Sequence, residues 1–472
     1  MRIHTLPTVR VIRLVPLAAA AIISGACGAD LVVPDFNNPS IEDFTSTPTP
    51  TKIATAAQGL LIGNRIQVGE QNGYVSLLGI LGRESYNFDP ADPRFITEML
   101  VGPLDPGSPA FGANLFAFPY ANIRNANILL GAVDAVAGLT AAQKDAVRGF
   151  AKTIQALDYL IVINTRDDLG APLDVNRGAT GEPAPFVSKT EIFTNIVRLL
   201  DEGFTHLQGA GTAFPFTFSP GFAGFNTPST FATFNRALKA RVEVYRRAYP
   251  SALTALAGSF LTTPPGFPAT PTGTLLATGV YHSYSTGSGD IQNRLFDPTG
   301  RAILAHPSLV TDAQHQPDGS PDARLTAKVA EITPKSVLGV PASHVFTIYA
   351  SNTAPIPIIR NEELILLRAE ARYFTGDQSG ALSDINFIRT ASGGLAPRGP
   401  FTSDADFTAE LLYQRRYSLM FEGGHRWIDA RRFGQLAALP KALPTHTIPS
   451  RFPFPEGECL ARLPDKPAGC PQ

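Results

Sequence analysis

The side chains best suited to ligand binding lie on two loop-rich stretches. The first, residues 82–100, mixes polar, charged and aromatic side chains with turn-forming residues. Loops carried by a rigid scaffold are common places for ligand contacts. A loop held together by internal salt bridges would have the same composition, and the sequence favours neither alternative. The binding candidates on this stretch are Arg83, Glu84, Tyr86, Asp89 and Arg94.

The second stretch, residues 264–357, is rich in turn residues and has only short runs typical of strands, such as 345–349. A long irregular segment in a helical protein is usually functional. No motif identifies which of its side chains contact a ligand. The candidates are Tyr281, His282, Tyr284, Asn293, Arg294 and Phe296.

The sequence contains no known catalytic motif. His-Glu-x-x-His, Gly-x-Ser-x-Gly, the P-loop and the dinucleotide-binding glycine pattern are all missing. His282, His306 and His315 lack the spacing of a metal site, and among 40 acidic residues a glycosidase-like pair has no significance. A net charge of −1 gives no electrostatic case for nucleic acid. We predict a non-catalytic protein without metal, cofactor or nucleic-acid partner.

Helical patterns surround these loops. Apolar residues at helical spacing predict helices at 52–61, 120–136 and 189–208, and Thr140 is the expected N-cap of another. The residues from Leu364 to Ile388 form two helical runs around a Gly-Asp turn, which is the layout of a tetratricopeptide-like hairpin. Ala240 and Ala252 are separated as Ala369 and Ala381 are. This repeated spacing predicts a second hairpin.

The segment 407–434 combines many charges with large apolar residues, and its pattern predicts one long helix. Glu422 and Arg426 are spaced i,i+4, and Arg426 and Asp429 are spaced i,i+3, so we expect the three to form a ladder of ion pairs. An anion site is the functional alternative, but structural pairing explains the pattern better because buried charges need partners. Trp427 is expected in the core rather than as a sugar platform. The neighbouring hairpin adds Glu363, Glu370 and Arg389 to this predicted structural network.

This C-terminal segment resembles the signature of the SusD/RagB family of surface lipoproteins. One difference is Gly424-His425, which makes the stretch between the Glu-Gly pair and the arginine one residue longer than the usual form. The resemblance implies a mainly α fold in which tetratricopeptide-like hairpins form a scaffold with a loop-rich second lobe. The matching residues are Arg360, Glu363, Ala369-Glu370-Ala371, Ile385-Asn386-Phe387-Ile388-Arg389, Glu422-Gly423, Arg426-Trp427, Asp429 and Arg432.

The N-terminus is typical of a secretory signal, with arginines before a short apolar run. Ser24-Gly25-Ala26-Cys27 is similar to a lipoprotein cleavage site, and the family resemblance favours acylation of Cys27 over a plain secretory signal. A lipid on Cys27 would tether the chain to a membrane without spanning it. Export also permits a disulfide between Cys459 and Cys470, with two free thiols as the alternative.

These expectations divide the chain into five regions: a signal peptide (1–26), a tether (27–50), an N-terminal helical region (51–263), a loop-rich ligand-side insertion (264–357) and a C-terminal signature region (358–472). The resemblance implies nutrient capture, usually of a glycan, together with a SusC-like TonB-dependent barrel transporter at the outer membrane. A secreted scaffold that binds only a protein partner is the alternative, and an enzyme such as a surface glycosidase ranks third. Sugar capture would use flat aromatic faces, for which the candidates are Tyr74, Tyr86, Tyr281, Tyr284 and Phe296.

Overall fold

The computed structural model describes residues 41–177, 181–263, 273–467 and 469–470. Two units are distinguished, residues 1–47 and 48–472. In the first unit, the described part contains the short helix α1 (Ile41–Ser46). The predicted signal peptide, Cys27 and most of the predicted tether lie outside the described residues. In the described part of the chain, every helix is too short or too polar to cross a membrane.

Helices dominate the larger unit. Threonine or serine caps several of their N-termini: Thr140 and Gln143 form a reciprocal capping box, as Ser188 and Glu191 do. The prediction that Thr140 caps a helix is therefore confirmed, and the helices expected at 52–61, 120–136 and 189–208 are present. In chain order the helices before residue 264 are α2 (Pro50–Arg65), α3 (Tyr74–Leu81), α4 (Arg94–Thr97), α5 (Asn114–Ala132), α6 (Ala141–Arg166), α7 (Lys189–Gly209), α8 (Pro228–Tyr245) and α9 (Tyr249–Ala257).

Two helical hairpins follow the repeated alanine spacing. The pair α8 and α9 contains Ala240 and Ala252, and the pair α13 (Asn361–Phe374) and α14 (Gln378–Ala391) contains Ala369 and Ala381. All four alanines are fully buried. Small side chains at these positions let the two helices of a pair approach closely. Both hairpins predicted from the sequence are confirmed.

The prediction of one long helix over 407–434 is wrong. The structure has two helices, α15 (Asp404–Ser418) and α16 (His425–Arg432), separated by a tight turn. Phe421 and Gly424 have positive φ angles of 55° and 69° within this turn, which an α-helix does not allow. A Cβ atom on Gly424 would lie 2.3 Å from the Cβ of Leu78. Glycine is therefore needed here both for the backbone angle and for the close approach of α3.

The loop-rich lobe contains short antiparallel ladders. Strand β1 (Ser85–Asn87) pairs with β5 (Ile303–Ala305), and β4 (Gly279–His282) pairs with β8 (Ile356–Arg360). These ladders join the lobe to the 82–100 stretch and to the start of α13. The run predicted at 345–349 only overlaps a strand, because β7 ends at Phe346. The remaining elements are β2 (Ala171–Pro172), β3 (Phe186–Val187), α10 (Gly273–Ala277), α11 (Ser308–Thr311), α12 (Ala323–Lys328), β6 (Val329–Val337), β7 (Val340–Phe346) and α17 (Glu456–Leu460).

Two buried clusters lie between the helices and this lobe. One buried cluster joins α3, β1 and α4 to Trp427 of α16 and to Phe452. A second joins β5, β7 and β8 to Tyr417 and Phe421, the end of α15 and its turn. Because residues 48–472 form one compact unit, the predicted regions 51–263, 264–357 and 358–472 are parts of it. Their exact boundaries stay a prediction.

Candidate functional site

An open cleft of 330 Å³ brings three of the predicted candidates, Tyr281, His282 and Tyr284, into one lining. We call it the tyrosine cleft. Its lining comes mainly from three segments: the C-terminal half of α2, residues 217–222, and residues 281–285 with Asp290; Ile154 and Ile358 complete it. The three segments are far apart in the chain, so the cleft exists only in the folded protein.

Arg65 joins α2 to the segment that follows β4. Its guanidinium donates a hydrogen bond to the carbonyl of Ser283 and pairs with the carboxylate of Asp290. The Nε of Arg65 is buried and has no hydrogen-bond partner in the described structure. The side chain of Asp290 is 29% exposed. The cleft therefore offers the accessible carboxylate of Asp290 next to the guanidinium of Arg65, which is fixed by its hydrogen bonds.

Three rings from one segment line the cleft: those of Tyr281, His282 and Tyr284. The hydroxyl of Tyr281 donates to the carbonyl of Ala277, which fixes a half-buried ring. The hydroxyl of Tyr284 is buried without a partner among the described residues, and burial raises the pKa of Tyr284. Burial and the charge of Arg65 lower the pKa of His282 to about 3. All three rings are therefore neutral at physiological pH, which suits binding of an uncharged ligand better than acid–base chemistry.

A cluster of phenylalanines positions the second wall. The ring of Phe218 lies 5.5 Å from that of Phe150 on α6 and 5.6 Å from that of Phe231 on α8. Gln58 of α2 donates to the Thr217 hydroxyl at 2.6 Å. These contacts hold residues 217–222 against α2. The apolar packing gives the wall its shape, and the polar contacts set its distance from α2.

Gly221 allows this wall to approach β4. Its amide donates to the Ser283 hydroxyl at 2.6 Å. A Cβ atom on Gly221 would lie 2.0 Å from the carbonyl oxygen of Tyr281, which is closer than any real contact. A side chain at this position would therefore push the two walls of the cleft apart.

Most of the other predicted binding residues lie in the core. Tyr74, Arg83, Tyr86 and Asn293 are all less than a tenth exposed, and the half-buried Phe296 packs on a core cluster. The guanidinium of Arg83 donates to backbone carbonyls, and the amide of Asn293 donates to the Ala354 carbonyl at 2.9 Å. None of these residues lines the tyrosine cleft. The side chains of Arg83 and Asn293 bind backbone carbonyls instead, and β1 holds part of the 82–100 stretch in the core.

Asp89 lies in a second cleft, also of 330 Å³, which we call the acidic cleft. It is lined by Glu70, Asp89 and Asp92 together with Arg294. Burial raises the pKa of Glu70, and the nearby charge of Arg294 opposes this increase. Two predicted candidates, Asp89 and Arg294, therefore meet at a different place from Tyr281 and Tyr284.

Sequence reasoning missed Gln58, Arg65 and Asp290 in the tyrosine cleft. Gln58 and Arg65 lie on a helix whose pattern indicated only packing, and Asp290 lies in a Ser/Gly-rich turn. The one available signal was Arg65 itself, a charged residue at the end of an apolar helix. A buried arginine needs a partner, so its presence indicates a carboxylate nearby. The sequence did not show which carboxylate that partner would be.

The acidic residues of the predicted network are paired with arginines, but the partners differ from the predicted ones. Glu363 binds Arg241 at 2.6 Å, and Arg389 binds Glu410 at 2.6 Å. These pairs connect different helices and are nearly buried. Further pairs are Glu422 with Arg360 (2.9 Å), Glu370 with Arg415 (2.7 Å) and Arg432 (2.5 Å), and Asp429 with Arg432 (2.7 Å).

Arg426 does not belong to these pairs, so the predicted ladder is wrong. Its guanidinium donates to the backbone carbonyl of Arg83 at 2.6 Å. No carboxylate of the described residues lies within salt-bridge distance of it. The physical reason is the turn at 419–424: Glu422 lies before α16 and points its carboxylate to Arg360, while Asp429 binds Arg415 and Arg432. Residues on the two sides of such a break do not share a helix face, so i,i+4 spacing does not bring Glu422 and Arg426 together.

Two further predictions agree with the structure. Trp427 is fully buried, and its indole N–H donates to the Pro449 carbonyl at 2.9 Å. Cys459 and Cys470 form a disulfide in the C-terminal segment. Trp427 is therefore a core residue and not a binding platform.

The fold and the cleft define a class: a scaffold of helical hairpins that carries a loop-rich lobe with an open cleft. The family model of the SusD family matches residues 343–452, which include β8 and α13 to α16. A search of curated proteins found no match. The match to this family model confirms the resemblance drawn from the C-terminal residues.

Solved structures share this fold at low identity. A SusD superfamily protein from Bacteroides vulgatus is 18% identical, with a TM-score of 0.66, over 90% of this chain and 100% of that one. A SusD-like carbohydrate-binding protein from Bacteroides fragilis is 16% identical, with a TM-score of 0.64, over 82% and 87%. A laminarin-binding SusD-like protein is 16% identical, with a TM-score of 0.60, over 87% and 97%. At these identities the likeness demonstrates the fold, and the mainly α prediction is confirmed.

Proposed function

We propose that this protein binds an oligosaccharide in the tyrosine cleft and does not transform it. The observation that carries the proposal is the lining of that cleft. Tyrosine and phenylalanine rings stand beside an amide, a carboxylate and a guanidinium, represented by Gln58, Asp290 and Arg65. Sugars bind through flat apolar faces and through hydroxyl groups that need directed partners. This cleft supplies both.

The charge state of the cleft supports binding without chemistry. His282 and the two tyrosines stay neutral near pH 7, and the carboxylate of Asp290 is held in an ion pair with Arg65. General acid–base catalysis needs a group whose pKa lies near the working pH. The groups that line the cleft act as fixed hydrogen-bonding partners.

Relatives with the same fold support the choice of ligand class. One solved structure is named as a laminarin-binding SusD-like protein and another as a SusD-like carbohydrate-binding protein. We therefore propose a glycan as the cargo. We also propose that a lipid on Cys27 anchors the chain at the outer-membrane surface, and that a SusC-like TonB-dependent transporter receives the cargo. The second cleft, with Asp89 and Arg294, is the alternative location for the sugar.

A thermal-shift screen tests the ligand class. The protein without its first 27 residues is mixed with β-glucan and α-glucan oligosaccharides and with short peptides as a control class. A ligand at 100 times its dissociation constant adds about 2.7 kcal/mol of stability, so we expect a clear rise in melting temperature with one glycan class. Stabilisation by peptides alone, or turnover of a glycan, would contradict the proposal. No response to any of them would favour a protein partner as the sole ligand.

A further inference from the structure

We propose that a separate cavity, lined by Arg416 and Arg426, binds a small molecule through a carboxylate, sulfate or phosphate group. We call it the arginine pocket. It measures 260 Å³ and lies between α15, α16 and residues 435–439. No residue of the tyrosine cleft lines it. The proposal is therefore independent of the sugar-binding proposal.

The charges around the pocket are unbalanced. Arg415 also lines it but is compensated, since it binds Glu370 at 2.7 Å and Asp429 at 3.2 Å. Asp429, the one carboxylate of the lining, is shared between Arg415 and Arg432. Arg426 has no carboxylate partner in the described structure. The lining thus has more guanidinium groups than carboxylates to neutralise them.

Arg416 supplies a second cation and a free donor. Its side chain is 9% exposed and binds Asp312 at 2.7 Å and the hydroxyl of Ser308 at 2.7 Å. The carboxylate of Asp312 is 48% exposed, so water weakens this pair. The Nε of Arg416 is buried and has no partner among the described residues. A buried donor without a partner costs free energy.

Titratable groups near the pocket do not supply the missing negative charge. Burial and the positive charge of Arg416 lower the pKa of Arg426 to about 9. Glu84 is the acid whose charge acts most strongly on Arg426, and burial raises the pKa of Glu84 to about 7. Burial and the surrounding arginines lower the pKa of His306, which is therefore neutral. The site is cationic and only weakly compensated near neutral pH.

The chemistry of the lining selects the ligand. A guanidinium presents donors in a planar fork that matches carboxylate, sulfate and phosphate groups. The remaining lining is mainly apolar, from Leu412, Leu439 and Ala430, with the ring of Tyr413. Such a pocket suits a small organic anion whose charged end meets the arginines and whose body packs on these side chains.

Calorimetry of the full chain tests this at constant ionic strength. Sodium glucuronate, sulfate and inorganic phosphate are titrated, with glucose as the uncharged control. We expect at least one oxyanion to bind and glucose to leave the arginine pocket unaffected. The Arg426→Gln variant should weaken that binding at least about tenfold, since a charge-assisted hydrogen bond contributes that much. The absence of binding by all three anions, or equal binding by the variant, would overturn the proposal.

A second pair of variants keeps the test valid if Arg426→Gln fails to fold. Ala409 lines the pocket and is exposed on α15, so it tolerates a longer side chain. Ala409→Glu adds a carboxylate to the pocket, and Ala409→Gln adds the same shape without charge. We expect Ala409→Glu to have the higher melting temperature and an anion affinity at least about tenfold lower than Ala409→Gln. Equal melting temperatures and equal affinities would overturn the proposal.

Discussion

Two arginines on one helix, Arg432 and Arg426 of α16, have opposite environments. Arg432 binds Glu370 at 2.5 Å and Asp429 at 2.7 Å, and these carboxylates raise its pKa despite burial. Among the described residues Arg426 binds only the carbonyl of Arg83, and burial lowers its pKa to about 9. The same residue type is compensated at one end of the helix and uncompensated at the other. The first arrangement holds helices together, and the second leaves a cation at a cavity.

The difference comes from what packs against each end. Glu370 of α13 lies fully buried between Arg415 and Arg432, so it joins α13, α15 and α16. The N-terminal end of α16 faces the turn after α3, where Arg83 offers its carbonyl. Tertiary approach, and not helical spacing, therefore decides which charge is paired.

The largest expected loss of stability comes from a substitution at the compensated end of α16. Glu370→Gln leaves two buried arginines, Arg415 and Arg432, to share the single carboxylate of Asp429, and we expect a loss of about 3–5 kcal/mol in the free energy of unfolding. Denaturant unfolding measures it. The exposed Glu182 provides the control: Glu182→Gln should change stability by less than about 0.5 kcal/mol. Equal effects of the two variants would refute the structural role of the cluster.

A pH experiment tests the weak compensation of Arg426 at the other end of α16, through the nearby acid Glu84. Burial raises the pKa of Glu84 to about 7 from the ordinary 4.5. Between these values the folded protein holds a proton that the unfolded chain has lost, so Glu84 lowers stability as pH rises through this window. Relative to Glu84→Gln, the wild type should lose about 3 kcal/mol between pH 4 and pH 8.

Unfolding curves of the wild type and of Glu84→Gln across this pH range measure the difference in their free energies of unfolding. Glutamine keeps the acceptor for the Phe421 amide, which approaches Glu84 at 3.4 Å. The variant therefore changes the charge more than the packing. A difference in stability that is independent of pH would contradict the assigned pKa.

A smaller loss of stability is expected for Arg426→Gln than for Glu370→Gln. It removes one hydrogen bond to the Arg83 carbonyl and no carboxylate pair, so we expect a loss of about 1 kcal/mol. The melting temperature of this variant should stay well above that of Glu370→Gln. A loss as large as that of Glu370→Gln would show that Arg426 has a carboxylate partner in solution and would restore the predicted ladder.

Local patterns predicted much of the fold. Alanine spacing identified both hairpins, Thr140 identified the start of α6, and apolar surroundings placed Trp427 in the core. Each of these depends on residues close in the chain. The break between α15 and α16 was missed because it depends on positive φ angles at Phe421 and Gly424, which the helical pattern conceals.

The candidate site was less predictable because its parts are distant in sequence. Tyr281 and Tyr284 were named from a loop-rich stretch, but Gln58 and Arg65 come from a helix nearly half the chain away. Tyr74 and Tyr86 have the same residue type as the cleft tyrosines and lie buried. Aromatic composition thus indicates that a ligand site can exist, while tertiary packing decides which rings reach it.

Calorimetric titration of the best oligosaccharide tests the central claim most directly. It compares the wild type with Tyr281→Ala and Gln58→Ala in the tyrosine cleft, and with Asp89→Asn in the acidic cleft as the matched control. We expect both cleft variants to weaken binding about tenfold or more while their folds stay intact, since a lost ring face or directed hydrogen bond is worth about 1.4 kcal/mol. Asp89→Asn should bind as the wild type does. Full affinity in Tyr281→Ala and Gln58→Ala, with loss in Asp89→Asn, would contradict the account and move the sugar site to the acidic cleft.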